Sequence, residues 1–139
     1  MPDLPELSIT PEKVCGVISM ARQFAAKDAV TEPDPDSNPT DDGMRAVLED
    51  HAGDPVEREL RVFIHDLDVD EQVDLVTLAR LGRGDAEIDD WAALRSETAS
   101  VHEPRSALEL IQIPLLSDYL EEALSQFGES CADLGAERL

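Results

Sequence analysis

Apolar side chains recur along this chain every three or four residues, and no segment alternates with a period of two. Val14, Val17, Ile18, Ala21 and Ala25 form one stripe, and Met44, Val47, Leu48 and His51 a second. Val56, Leu60, Phe63, Ile64 and Leu67 form a third, and Ile88, Trp91, Ala92, Leu94 and Thr98 another. Leu116, Tyr119, Leu120, Ala123, Leu124 and Phe127 make the last. This period predicts amphipathic helices, and the missing alternation argues against strands. The stretch "VDEQVDLVTLARL" at 69–81 is apolar on more than one face, which predicts a central helix.

Helix ends are marked in the same string. Proline fits the first helical position because its missing donor is not needed there. Thr10-Pro11, Asn38-Pro39 and Asp54-Pro55 each join a good cap residue to such a proline. Glu103-Pro104 and Ile113-Pro114 start two more helices without good caps. Asp54 with Glu57, and Asp68 with Glu71, have capping-box spacing. "LGRGD" reads as a stop, with Gly82 in the left-handed position after the central helix and Asp85 capping the next. The expected fold is all-α: a single compact bundle of six or seven short helices in one domain over 1–139. Its ordered core spans about 8–131, with frayed ends at 1–7 and 132–139.

One connection stands apart. "TEPDPDSNPTDD" at 31–42 holds three prolines, five carboxylates and no apolar side chain. Glu32, Asp34 and Asn38 each precede a proline, which drives them out of helical geometry. The segment is therefore a stiff, extended, acidic loop. Two roles suit it: a rigid connector over the bundle surface, or a rail that a partner grips. The rail would present Glu32, Pro33, Asp34, Pro35, Asp36, Asn38, Pro39, Asp41 and Asp42.

Composition changes the picture through charge. The 139 residues carry 32 acids and 11 bases, a net charge of −21, and residues 31–90 alone hold 19 acids against 5 bases. Such a field repels nucleic acid and anionic membrane and favours basic partners or cations. Scarce lysine and abundant aspartate also fit adaptation to a high-salt or GC-rich background. No basic leader or apolar run of membrane-spanning length is visible, so a cytoplasmic protein is expected. In that compartment Cys15 and Cys131 are expected as reduced, buried thiols, with Cys15 inert among apolar neighbours.

Catalytic motifs are sparse. "DLDVDE" at 66–71 opens like a calcium loop, but Glu71 stands where glycine is needed and Thr77 where a bidentate glutamate belongs. Asp68, Glu71 and Asp74 recur every three residues, and Glu87 and Asp90 repeat the spacing. Two facing helices of that kind could hold magnesium or manganese, in a pattern loosely similar to nucleotide pyrophosphatases of the MazG type. No cluster of lysines or arginines stands beside them to hold phosphates. His51, His65 and His102 lack any zinc spacing, and His51 suits a boundary position on its stripe. Nucleophile motifs and phosphate-cradling glycine loops are absent from the sequence. Trp91 falls at core spacing.

"VTEPDPDSNPTDD", "VLEDH", "DEQVDLVTLARLGRGD", "DDW" and "IPLLSDYLEEALSQFG" together make the chain similar, from about Leu7 to Cys131, to the small bacterial family called domain of unknown function 3775. Its members tend to carry tryptophan where this chain has Arg80. The resemblance implies a bacterial intracellular protein and brings no activity, cofactor or catalytic residue with it. The expected function is a non-catalytic protein-interaction module whose acidic loop docks a basic protein partner. It would need no cofactor, bind no nucleic acid or membrane directly, and be a monomer or homodimer. The alternative is a magnesium- or manganese-dependent hydrolase of nucleotides or phosphoesters using Asp68, Glu71, Asp74, Glu87 and Asp90.

Overall fold

The computed structural model of the chain describes residues 4–30 and 55–132. Among them lie six α-helices: α1 (Pro11–Val30), α2 (Pro55–His65), α3 (Val69–Arg83), α4 (Trp91–Ser100), α5 (Pro104–Leu108) and α6 (Leu116–Gln126). A 3-10 turn at Ile88–Asp90 leads into α4, and another at Glu109–Gln112 extends α5. The described residues form no strand, so the fold is all-α, as the helical periodicity predicts. The proline-rich loop and the Met44–His51 stripe lie outside the described residues, as do 1–3 and 133–139. Among the described residues no helix is long and apolar enough to cross a membrane.

The centre of the bundle is α3, for the reason its sequence suggests. Leu75, Leu78 and Leu81 are buried on it together with Val73 and Ala79, so it meets α4, α5 and α6 at once. Its start is a complete capping box. The Asp68 carboxylate accepts from the Glu71 N–H at 2.9 Å, and the Glu71 carboxylate accepts from the Asp68 N–H at 3.0 Å. These bonds satisfy donors that a helix start leaves without partners. On the other side, α1 packs Val14, Val17 and Ile18 against α2 and α6. Trp91 is buried at the start of α4 and meets Phe127 edge to face, with ring centroids 5.1 Å apart. That pair adds about 1 kcal/mol beyond its buried area.

The end of α3 corrects the expected stop. Gly84, with φ of 97°, takes the left-handed position, and the Gly84 and Asp85 N–H groups bond back to the Leu81 and Arg80 carbonyls at 3.0 Å. Those are the two bonds of a Schellman end. Gly82 lies two residues earlier, inside the helix, where a side chain would run into the backbone of Tyr119 on α6. Asp85 does not cap the next helix either, because Arg80 and Arg83 hold its carboxylate. Start signals at α5 are better than its sequence suggests, since the Ser106 hydroxyl accepts from the Glu103 N–H at 3.1 Å.

A second correction concerns the cysteines. Cys15 and Cys131 form a disulfide, with Cα atoms 5.6 Å apart, rather than two reduced thiols. They are 116 residues apart in sequence, and folding makes them neighbours. α6 runs alongside α1, and a turn at Gly128, with φ of 79°, sends the following residues back toward Cys15. Cys15 is half-buried at the edge of the core, so its apolar neighbours do not seal it off.

Candidate functional site

The densest polar cluster in the described bundle grows from three carboxylates at the start of α3. Asp74 is fully buried. One of its oxygens accepts from the backbone N–H of Ser8 and, at 3.2 Å, from that of Ile9. Its other oxygen accepts from Arg95 Nε on α4 at 2.5 Å. Arg95 also donates to the Asp70 carbonyl at 3.3 Å and faces the Asp70 carboxylate at 3.6 Å. One turn earlier, Glu71 receives Lys13 Nζ from α1 at 2.6 Å in addition to its capping bond. A single helix end thus ties down the N-terminal segment, α1 and α4.

The chemistry of the cluster follows from these partners. The hydrogen bond from Lys13 and the Asp68 N–H hold the Glu71 carboxyl below its ordinary value, against the opposing effect of burial. Hydrogen bonding to Asp74 raises Arg95 above its own. A group whose folded-state value is lowered stabilises the fold fully above its unfolded value and loses that contribution as pH falls through the lower folded one. Glu71→Gln is therefore expected to melt below the parent at about pH 7. The gap should narrow as pH drops beneath 4.5, the group's ordinary value, and the two melting curves should then converge. A gap independent of pH would show that the Glu71 charge is not what Lys13 holds.

These contacts locate each candidate metal ligand. Asp68 caps the helix, Glu71 binds Lys13, and Asp74 binds Arg95 and the N-terminal backbone. Glu87 and Asp90 are exposed on the turn before α4. Among the described residues no three histidines, cysteines, aspartates or glutamates are grouped to hold a metal ion. The loop candidates Glu32, Pro33, Asp34, Pro35, Asp36, Asn38, Pro39, Asp41 and Asp42 lie outside the described residues, as does His51. His65 is exposed beside Asp66.

Four side chains contribute without a local signature in the sequence. Lys13 and Arg95 reach α3 across 58 and 21 residues. Gln72 is buried and donates to the Ile64 and Leu67 carbonyls at 3.0 and 3.3 Å, which turns its oxygen toward His102 Nε2 at 3.1 Å. That amide therefore makes His102 Nε2 the donor, and the buried Nδ1 is left without a partner. Arg80 is a three-way fork. It donates to Asp85 at 3.2 Å and Thr98 at 3.1 Å and faces Glu97 at 3.6 Å, joining α3 to α4. Arg83 shares Asp85 with it and, as the stronger influence, lowers the Asp85 carboxyl.

Two of the depressions on the described surface differ in character. One, about 350 Å³, lies along α6 and the residues after it and is lined by Asp118, Glu121, Glu122, Glu129 and Cys131. The other, about 600 Å³, lies between α1 and α2 and presents Met20, Val62 and Phe63.

The fold and this cluster define a small all-α domain whose buried acids knit its helices together. The chain belongs to the family described as protein of unknown function DUF3775, whose model matches residues 57–129. That span covers nearly all of α2 and continues through the turn after α6. It excludes the acidic loop, Lys13 and both cysteines, and is narrower than the sequence resemblance from Leu7 to Cys131. No curated protein and no solved structure matches the chain.

Proposed function

We propose that the chain is a non-catalytic protein-interaction module that docks a basic protein partner on its acidic loop, residues 32–42. The observation that carries this reading is charge: 19 acids against 5 bases in residues 31–90, with three prolines among the five acids of 31–42. Support comes also from the acids at 68, 71 and 74, whose bonds to Lys13, Arg95 and backbone N–H groups serve the fold. The proposed setting is the cytoplasm.

Two variants of equal charge change test it. One carries Glu32→Gln, Asp34→Asn and Asp36→Asn. The other carries Glu59→Gln, Asp66→Asn and Asp89→Asn at exposed positions of the bundle. Capture from native lysate is expected to lose a basic protein with the first variant and keep it with the second. Equal loss from both would mean diffuse charge rather than a docking loop, and loss from neither would remove the loop from the reading.

A further inference from the structure

We propose that the Cys15–Cys131 disulfide is a redox-reversible clasp, opened by a dithiol reductant that enters the acidic groove beside Cys131. Opening it frees the residues after α6 from α1.

Placement of the bond supports a clasp over a core staple. Both cysteines are only half-buried at the rim of the core. The last deep anchor before Cys131 is Phe127, buried against Trp91. Gly128, with its positive φ, follows at once, and residues 128–132 are otherwise exposed or half-buried. α1 stays attached to α6 without the sulfur bond, through Val14, Val17 and Ile18 and through Arg22, which donates to Glu121 at 2.9 Å. Reduction therefore releases a short arm and leaves the bundle in place. Both cysteines also fall outside the family-matched span 57–129, so the clasp is an addition to a domain defined without it.

The route of attack follows from access and charge. Cys131 lines the groove and Cys15 does not, which assigns the attack to the Cys131 sulfur. The groove wall carries Asp118, Glu121, Glu122 and Glu129, and among the described residues Arg22 pairs with Asp118 and Glu121 at its edge. That field slows anionic thiols such as glutathione and favours neutral or cationic ones. In the reaction the dithiol's thiolate bonds to Cys131 Sγ while the Cys131–Cys15 bond breaks, and Cys15 leaves as a thiolate and takes a proton. The reductant's second thiolate then displaces Cys131. The protein gains two electrons and two protons, and the dithiol closes to its own disulfide.

The test uses the full chain purified in air without reductant. Alkylation of the native protein should find no thiol. After dithiothreitol without denaturant it should find both, and oxidised dithiothreitol should restore the bond. Hydrogen exchange should quicken over residues 129–132 on reduction while α3 and α6 are unchanged. The Cys15→Ser, Cys131→Ser variant should exchange like the reduced protein whatever the redox state. Compared per thiolate, cysteamine should open the bond about tenfold faster than mercaptoethanesulfonate at low salt, and the gap should close at high salt. Free thiols before reduction, or a bond that yields only in denaturant, would overturn the clasp. Equal rates for the two thiols would overturn the acidic route.

Discussion

Gly82→Ala is expected to destabilise the protein by about 3 kcal/mol, although alanine is the better helix former. In an exposed helix interior the same change stabilises by roughly 0.5–1 kcal/mol. Here the sign reverses because of what lies opposite. A β-carbon at position 82 would occupy the space of the Tyr119 carbonyl, and the atoms it meets are backbone. No side chain can rotate away, so α6 must move off α3. Leu116, Leu120 and Leu124 are buried on α6 and move with it. Gly84→Ala is the informative control. Gly84 has the left-handed φ, but the space around it is empty, so alanine there costs about 1–2 kcal/mol of backbone energy and disturbs no packing. Thermal melts of the two variants should rank Gly82→Ala well below Gly84→Ala, by several degrees for a domain of this size. The reverse ranking would mean that Gly82, not Gly84, ends the helix and that α6 does not rest on it.

These two glycines show where the sequence stops being legible. Both sit in "LGRGD", both follow an apolar stripe, and local chemistry alone lets either end the helix. The choice is made by a carbonyl on α6, which no short-range pattern contains. The outer helices are legible because each must bury one face, and that requirement prints a 3.6-residue period into the stripes of α1, α2, α4 and α6, while α3 is legible as apolar on more than one face. The capping box at Asp68 and Glu71 is legible for a similar reason, since both partners lie within one turn. Trp91 as core was readable from its spacing, although its contact with Phe127 was not.

Acidic residues are the harder case. The spacing of Asp68, Glu71 and Asp74 suggests a shared ligand, yet their partners come from three separate parts of the chain. Lys13 lies on α1, Arg95 on α4, and the Ser8 and Ile9 amides precede the first helix. With so few bases in the chain, each cation near α3 has several acids to choose from, and topology decides. The disulfide was hidden in the same way. Its cysteines belong to opposite ends of the chain, and compartment arguments favoured free thiols, while the antiparallel run of α6 along α1 and the Gly128 turn bring the sulfurs together. Arg80 illustrates the converse: its spacing marks it as part of the helix, and its hydrogen bonds to Asp85 and Thr98 and its ion pair with Glu97 are visible only in three dimensions.

Asp74→Ala should cost about 3–5 kcal/mol, since it breaks a buried ionic contact and leaves two backbone donors unsatisfied. Arg95 keeps part of its side chain in solvent and can turn outward, so its share of the loss is the smaller one. The Ile9 amide has no such escape while Ile9 stays buried, whereas Ser8 is exposed. Hydrogen exchange at Ser8 and Ile9 should quicken together in the variant, ahead of any change in α6. Asp74→Asn separates the structural role from metal binding. An amide preserves the shape but directs N–H toward groups that already donate, so a loss of about 2 kcal/mol is expected in chelator. If Asp74 were held for a metal, it would crowd other carboxylates in the metal-free protein, and removing its charge would leave stability unchanged or raised. A melt of Asp74→Asn in chelator that matches or exceeds the parent would therefore sink the structural assignment. A clear drop, with coupling to Arg95→Ala in a double-mutant cycle, would fix Asp74 as the residue that fastens the N-terminal segment and α4 to the central helix.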